Sequence, residues 1–297
     1  MESKRDKSRR LIKANDDLIS CPVCRELLHL NDDYNMTCSN SHNFDISKKG
    51  ILNLVGKSND RLYDKALFLN RRLVIKNGNY DPLIARLNEL LTEYLPKPHG
   101  RLRILDMGCG EGSFLSAIGS NENTRIGIDL SKEGINLATD HDGDIIWLID
   151  DLANIHMASD SFDVILNILS PANYNRFKRV LHDNGVIIKV IPGKDYLKEI
   201  RAALGSRQDK DVDNVTYDNT QTMEHTKKEM AVIHNENIKY KLDLSFDEFE
   251  TFTGMTPLTN KKNVHIFKDS GNDGCREAMK KAYELTIDLE IFIGKPL

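Results

Sequence analysis

The sequence predicts an α/β protein in which a doubly wound, mainly parallel sheet follows a small metal-binding module. Three observations lead to this prediction. Cysteines and a histidine cluster within residues 21–42, a strand–glycine–helix pattern lies at residues 103–118, and apolar runs then alternate with segments of helical periodicity. A chain of 297 residues is long enough for one large domain with a small addition.

Composition narrows the class of protein. Hydrophobic residues make up 40% of the chain and charged residues 29%, which suits a normal core and a polar surface. The sequence contains no run of about eighteen apolar residues and no secretory signal at its N-terminus. We therefore expect a cytoplasmic protein with no membrane association. In a reducing compartment, clustered cysteines bind metal more often than they form disulfides.

The distribution of charge gives a weaker indication. The net charge of −4 does not suggest a nucleic-acid partner, but residues 1–13 are strongly basic. We interpret residues 1–18 as a basic flexible tail. Two roles stay open for it: a solubilising segment, or a segment that adds salt-dependent affinity for phosphate groups.

The cysteine cluster has the spacing of a zinc site. Cys21 and Cys24 form a C-x2-C pair, and Cys38 and His42 provide a second pair after a polar turn typical of a short hairpin. Zinc takes four ligands in a tetrahedron, commonly thiolates and imidazoles. We therefore predict a structural Cys3His zinc site, and we assign no ligand role to His29 on the hairpin arm. A segment this short buries little core, so metal binding would supply its stability.

The next motif, LDMGCGEG, indicates a nucleotide-like cofactor. It contains Asp106, Gly108, Gly110 and Gly112 in the form D-x-G-x-G-x-G, after an apolar strand and before a helix. Glycines let the backbone approach a ligand closely. The spacing differs from the G-x-G-x-x-G of NAD-binding proteins and is typical of class I S-adenosylmethionine-dependent methyltransferases. In these enzymes the acid at the strand end faces the methionine amino group. Cys109 is not expected to be a nucleophile, because no histidine in the motif is placed to activate it.

Four further strands follow in the order that this fold requires. The run RIGIDL ends at Asp129, whose carboxylate suits both ribose hydroxyls. The next strand ends at Asp150 and Asp151, one of which would receive the adenine amino group. Asp151 fits better by its position, and Asp150 remains the alternative. A fourth apolar strand ends at Asn167, and a fifth follows a turn at residues 183–185.

With both parts placed, the chain resembles a specific family: the bacterial 23S ribosomal RNA (guanine-N1)-methyltransferases, which include macrolide-resistance enzymes. Members join an N-terminal zinc module to a class I methyltransferase domain. The resemblance covers nearly the whole chain after the basic tail. The motifs that carry it are CPVCRELL, CSNSHNFDISKKGILNLV, ALFLNRRLVIKNGNYDPL, LDMGCGEG, IPGKDYLKEI and MTPL.

The resemblance implies further contacts to S-adenosylmethionine. Tyr80 would reach the cofactor from the linker, and Glu111 from the glycine loop beside Gly110. Leu130 and Leu152, which follow two of the acids, complete the expected set with Tyr196. By the resemblance, Tyr196 occupies a position where some relatives carry a histidine. A proton-transfer role is harder for tyrosine, because its unperturbed pKa is about 10.

The implied reaction sets requirements for RNA. Guanine N1 carries a proton and is concealed in a paired helix, so the base must be unpaired or flipped and must lose this proton. The group that removes the proton is unknown. Asn167 is a candidate for orienting the base, and contact with the cofactor is the alternative for it. The zinc module would grip the 23S ribosomal RNA hairpin. The candidate phosphate partners are Lys48, Lys49, Arg61, Arg71 and Arg72.

We divide the chain accordingly. The expected parts are a tail (1–18), a zinc-binding RNA-recognition module (19–56), a linker helix (57–82) and a methyltransferase domain (83–297) with a polar insertion near 195–245. The insertion is interpreted as a lid near the substrate opening, and the last sixteen residues as closing strands. The resemblance also implies a homodimer. Two alternatives stay open: methylation of a small molecule, and an RNA-binding protein without catalysis, which the intact glycine motif disfavours.

Overall fold

The computed structural model describes residues 2–56, 64–95, 101–205, 218–256 and 282–297. The helices of these residues are α1 (Lys4–Lys13), α2 (Lys65–Lys76), α3 (Asp81–Tyr94), α4 (Ser113–Ala117), α5 (Lys132–Ala138), α6 (Tyr174–Val180), α7 (Lys198–Gly205), α8 (Thr220–Glu229) and α9 (Phe246–Met255). The strands are β1 (His29–Leu30), β2 (Asn35–Thr37), β3 (Asn43–Asp45), β4 (Ile51–Asn53), β5 (Arg103–Met107), β6 (Thr124–Asp129), β7 (Ile145–Ile149), β8 (Phe162–Ile168), β9 (Leu181–Pro192), β10 (Met230–Leu244) and β11 (Tyr283–Pro296).

The main sheet contains eight strands in the order β10-β11-β9-β8-β5-β6-β7-β4. The strands from β9 to β4 pair in parallel, whereas β11 and β10 are antiparallel to their neighbours. β7 is buried along its whole length, because a parallel strand in this fold is covered on both faces. The predicted alternation of strands and helices after the glycine motif is confirmed. The turn predicted at residues 183–185 lies within β9, where its pairing with β8 shifts register.

The segment expected to be an insertion is partly sheet. Residues 230–244 form β10, a long edge strand paired with β11 over almost its whole length, so the interpretation of residues 195–245 as an insertion was wrong for this part. Alternation with period two explains the strand: Ile238, Tyr240 and Leu242 pack against the core while their neighbours face outward. The closing segment is the single strand β11. Residues 206–217 lie outside the described residues.

The N-terminal segment differs from the flexible tail expected for residues 1–18. It forms α1, capped by the Ser3 side chain, with Leu11 and Ile12 buried against the body of the protein. Four of its cations are held in place, since Lys4 pairs with Asp140, Arg10 with Asp144, and the Arg5 and Arg9 guanidinium groups lie over the Tyr34 ring. The basic residues that suggested disorder are thus the polar face of an amphipathic helix.

The zinc-ligand segment is not a separate module. β4 pairs in parallel with β7, so the predicted 19–56 region contributes the edge strand of the main sheet. β1, β2 and β3 form the expected small hairpin sheet beside it. One apolar core runs through both parts; its members include Leu18, Leu28, Met36, Leu52, Leu105, Ile126, Ile146 and Phe177. Folding of the ligand segment is therefore coupled to folding of the sheet.

Two further predictions include residues outside those that the structure describes. The linker helix predicted over residues 57–82 is α2 followed by a turn into α3, and residues 57–63, with Arg61, lie outside the described residues. The end of the MTPL motif lies outside them too. No helix among the described residues combines the length and apolar character needed to cross a membrane.

Candidate functional site

A cavity of about 640 Å³ opens at the carboxyl ends of β5, β6, β7 and β8, the edge where doubly wound sheets bind ligands. It brings together most of the predicted cofactor residues. Those that line it are Tyr80, Asp106, Gly108, Glu111, Asp129, Leu130, Asp151, Leu152 and Tyr196. Gly110 and Gly112 belong to the same loop without lining the cavity, and Asn167 does not line it.

The glycine loop is required by backbone geometry and by packing. Gly108 and Gly112 have φ of 91° and 82°, a region that side chains disfavour. A Cβ on Gly108 would lie 2.6 Å from the Ser170 side chain, and one on Gly112 would lie 2.5 Å from the Trp147 ring. The glycine loop therefore packs closely against Ser170 and Trp147, where a side chain on either glycine would not fit.

Asp106 is the most unusual group in the cavity. Its side chain is 2% exposed, and its Oδ1 has no hydrogen-bond partner among the described residues. Burial, followed by repulsion from Asp129 and Glu111, raises its pKa to about 8. A buried carboxylate without a partner is unfavourable, so this site is suited to a ligand that brings a positive charge.

Asp129 fixes the glycine loop to the next helix. Its carboxylate accepts hydrogen bonds from the backbone of Gly110 and of Ser131, each at 2.8 Å. Ser131 in turn caps α5. Asp129 also lines the cavity, at the end of β6, where the sequence predicts the ribose.

The structure separates the two acids that follow β7. Asp150 is fully buried and accepts hydrogen bonds from the His156 backbone at 2.7 Å and from His156 Nδ1 at 2.6 Å. Asp151 is half-buried, lines the cavity, and accepts a bond from the backbone of Ala153. Asp150 thus shapes the loop, whereas Asp151 is presented to a ligand.

The carboxylate of Glu111, a residue expected to contact the cofactor, is held by hydrogen bonds within the protein. Arg72 Nε lies 3.2 Å from its Oε2, and Ser113 Oγ lies 2.7 Å from the same oxygen. Burial opposes ionisation, yet hydrogen bonds from His141 and Ser113 hold the pKa of Glu111 below its ordinary value. Arg72 is engaged here, so its expected role as a phosphate partner is not supported.

Tyr80 and Tyr196 form a hydroxyl pair in the cavity wall. Their oxygens are 2.6 Å apart, and the Tyr80 ring packs edge-on against Phe114. Burial raises the pKa of both hydroxyls, so neither loses a proton readily near neutral pH. Tyr196 is therefore suited to hydrogen bonding and not to general-base chemistry.

Asn167 makes its hydrogen bonds within the protein interior. Its Nδ2 donates to the carbonyls of Met107 and Pro171 and to Ser170 Oγ, while its Oδ1 accepts from Lys189 Nζ. Lys189 is 4% exposed and also donates to the Ser170 carbonyl at 2.7 Å. The role expected for Asn167 at the base stays a prediction, and these contacts do not support it. Its side chain instead supports the loop that lines the cavity.

The four predicted zinc ligands lie together. Their donor atoms are all within 4.8 Å of one another, with 3.6 Å between the Cys24 and Cys38 sulfurs and 3.5 Å between the Cys21 sulfur and His42 Nδ1. A tetrahedral zinc site has edges of about 3.8 Å between sulfurs and about 3.5 Å between sulfur and nitrogen. These residues therefore fit a closed, structural zinc ion. His29 lies outside the group and faces Asp16.

The zinc ligands are connected to the cofactor cavity. Arg25, next to Cys24, donates to the Ile155 carbonyl at 3.1 Å and also bonds Asn154. The Ser20 backbone donates to the His156 carbonyl at 2.8 Å. This loop begins at Asp151, so the metal site and the acid presented to the cavity share one segment of chain.

Comparison with known proteins identifies the family. Residues 19–57 match the model "RlmA, N-terminal", a zinc ribbon, and residues 104–185 match a methyltransferase domain. The chain is 34% identical over 288 residues to YxjB of Bacillus subtilis, provisionally named a 23S rRNA (guanine-N(1)-)-methyltransferase; the match covers 93% of this chain and 96% of YxjB. The chain belongs to the 23S rRNA (guanine-N1)-methyltransferase family.

Two other comparisons are with less similar proteins. The methyltransferase is 25% identical to the 23S rRNA (guanine(748)-N(1))-methyltransferase of Streptomyces fradiae, over 63% of this chain and 68% of that protein. Among solved structures it is similar to the plantazolicin methyltransferase BpumL in complex with SAH, with 19% identity and a TM-score of 0.38 over 78% of this chain and 95% of BpumL. That TM-score adds nothing to the functional assignment.

The methyltransferase fits both cofactors of its family. S-adenosylmethionine supplies a methyl group on a sulfonium, and its ammonium group suits the unpartnered Asp106. The Cys3His cluster fits zinc.

Other residues that line the cavity were not predicted from the sequence. Phe68 and Ile75 of α2 flank Arg71 at helical spacing, and Met255 comes from the end of α9. The spacing of the α2 residues was visible in the sequence. Nothing in the sequence showed which face of α2 meets the cavity.

Proposed function

We propose that this methyltransferase transfers the methyl group of S-adenosylmethionine to N1 of an unpaired or flipped guanine in a hairpin loop of 23S ribosomal RNA. The observation that carries the proposal is the identity to YxjB over nearly the full length of both chains, with the zinc ligands and the glycine loop both in place. Small-molecule methylation remains the alternative, and no feature of the cavity favours it.

The chain's own residues would act mainly by positioning. Asp106 and the glycine loop hold the methionine end, Asp129 holds the ribose, and Asp151 faces the adenine side. Alignment of the reacting atoms accounts for roughly 7–11 kcal/mol of barrier lowering in favourable cases. The loop of residues 168–173 forms the remaining wall, where the base would enter.

The zinc region would place the RNA over this opening. β4 runs parallel to β7, so its carboxyl end faces the same edge of the sheet as the cavity. Lys48 and Lys49 are exposed in the turn before β4, at the amino end of that strand, so they would contact phosphate groups of the hairpin on the side away from the cavity. The expected homodimer and cytoplasmic location stay predictions.

The first experiment is methyl transfer from labelled S-adenosylmethionine to 23S RNA that lacks the modification, followed by mass mapping of the product. One added methyl group at guanine N1 in a hairpin loop would support the proposal and identify the guanine. Normal cofactor binding without transfer to RNA would overturn the RNA assignment and direct attention to small molecules.

Lys189→Met is expected to lower kcat for this reaction by about tenfold while the Kd for S-adenosylmethionine changes by less than about twofold. The Asn167 and Ser170 oxygens would lose their buried donor, and each unsatisfied acceptor costs about 1–3 kcal/mol or moves to find water. The loop of residues 168–173, which forms the wall where the base would enter, should then shift, whereas the part of the cavity that holds the cofactor should not. Single-turnover kinetics measures this split, with the exposed Lys227→Met as control. An unchanged kcat would show that the loop needs no support from Lys189.

A further inference from the structure

Arg71 lies at the cofactor cavity without an ionic partner. It occupies the face of α2 that covers the glycine loop: a Cβ placed on Gly110 would be 3.3 Å from the Phe68 ring and 3.4 Å from Arg71 Nη1. The Arg71 guanidinium also lies 5.8 Å from the centre of the Phe68 ring. No carboxylate among the described residues pairs with it, although its neighbour Arg72 binds Glu111.

The other cation in the cavity wall is already engaged. Arg201 donates to the carbonyls of Tyr196 and Lys194, which fold the turn before α7 around it. Arg71 is therefore the lining cation with no ionic partner in the part of the chain that the structure describes. A half-buried guanidinium in such a position favours an anionic ligand.

An acid without a partner lines the same cavity. Asp106 Oδ1 accepts no hydrogen bond, and no nearby cation offsets the effects of burial and acidic neighbours on the Asp106 pKa. Asp106 and Arg71 thus face one space and do not pair with each other. A cationic group bound beside Asp106 would favour its ionised form, opposite in charge to Arg71. A ligand with an ammonium and a carboxylate on one carbon atom, that is, an α-amino acid, would satisfy both.

The tyrosine pair adds one more donor. In a hydrogen bond between two hydroxyls, one proton is shared and the other is free to bind a third group. The Tyr80 and Tyr196 hydroxyls form such a pair, and no further acceptor for them is present among the described residues. Arg71 is close enough to influence the pKa of both tyrosines. A carboxylate bound beside Arg71 would therefore lie near the tyrosine pair, whose free O–H could donate a hydrogen bond to it.

We propose that Arg71 binds the carboxylate of the methionine part of S-adenosylmethionine, opposite Asp106, which binds its ammonium. This inference rests on the enzyme's use of that cofactor but not on its RNA substrate. It replaces the role of RNA phosphate partner that the sequence suggested for Arg71. The guanidinium fork suits a carboxylate, and its position over the glycine loop places it at the methionine end of the site.

The test compares two ligands that differ only in the carboxylate. Calorimetry on the full-length protein, without RNA, would measure the Kd of S-adenosylmethionine and of decarboxylated S-adenosylmethionine. Arg71→Met should raise the first Kd by about 10- to 100-fold, the effect of a lost charge-assisted contact, and leave the second within about twofold. Arg71→Lys should fall between. Lys65→Met, which removes an exposed cation from the same helix, should change neither.

Other outcomes would overturn the proposal. Equal weakening of both ligands would indicate a general effect on the cavity, and the melting temperature of the ligand-free Arg71→Met variant would reveal such an effect. Unchanged affinity for both ligands with a raised KM for RNA would assign Arg71 to a phosphate group instead. Because binding is measured without RNA, failure of the RNA assignment would leave this result unaffected.

Discussion

Asp106→Asn is expected to weaken S-adenosylmethionine binding by about 100-fold or more while it stabilises the cofactor-free protein. The loss follows from leaving the ligand's ammonium without its buried counter-charge. The gain follows from removing a carboxyl whose ionised form is unfavourable in the empty cavity. Opposite effects of one isosteric change on binding and on stability identify a residue placed for a ligand.

The stability gain should depend on pH. The pKa of Asp106 rises from an ordinary value of 3.8 to about 8 in the folded protein. Between these values the folded state binds more protons than the unfolded state, so the Asp106 contribution to stability falls as pH rises, by at most about 1.4 kcal/mol per pH unit. The variant's advantage in melting temperature should thus grow from pH 5 to pH 8, reaching about 5 °C.

Calorimetry tests the predicted loss of cofactor affinity, and thermal melting tests the predicted gain in stability. Binding of S-adenosylmethionine to the native protein at pH 7 should release a proton, visible as a dependence of the binding enthalpy on the buffer, and the Asp106→Asn variant should release none from this site. Asp142→Asn, an exposed substitution, serves as the control. A variant that binds the cofactor normally, or whose advantage does not change with pH, would contradict the assignment.

His42→Ala is expected to abolish stoichiometric zinc binding and to lower the melting temperature by roughly 10 °C or more. Structural zinc contributes about 10–16 kcal/mol in isolated zinc-finger peptides, which is comparable to the stability of a whole domain. Because the ligand segment shares its core with the main sheet, its loss should destabilise the methyltransferase domain and not only the N-terminal region.

The same change should lower affinity for S-adenosylmethionine by about tenfold. Arg25 and Ser20 hold the loop that begins at Asp151, and their positions depend on the zinc ligands beside them. Metal analysis, melting and calorimetry measure the three effects. His29→Ala is the matched control, since this exposed imidazole lies outside the cluster. Retention of zinc and of cofactor affinity in the His42 variant would refute the coupling.

Much of the fold was predictable because its signals are local. The glycine loop follows from residues adjacent in sequence, and the zinc ligands from two short pairs whose spacing limits the geometry. The strands β5, β6, β7 and β8 were evident from their continuous apolar character. Such features need no knowledge of distant contacts.

The errors arose where a distant partner decides the role of a residue. α1 was taken for a tail because its cations were visible and their partners Asp140 and Asp144 were not. The prediction that Asn167 orients the base lacks support for a similar reason, since Lys189, a residue of the next strand, occupies its oxygen. β10 was read as part of an insertion because a half-exposed edge strand is rich in polar residues.

By itself, the sequence determined the fold class, the zinc ligands, the acids at the strand ends and the family. Only the tertiary structure decided that Asp106 Oδ1 has no hydrogen-bond partner among the described residues and that β4 joins the main sheet. It also decided that Arg72 binds Glu111, whereas Arg71 lines the cavity without an ionic partner among those residues. The physical reason is that hydrogen bonding, burial and charge balance depend on groups far apart in the chain. The pKa of Asp106 shows this, since it depends on burial and on acids contributed by other elements.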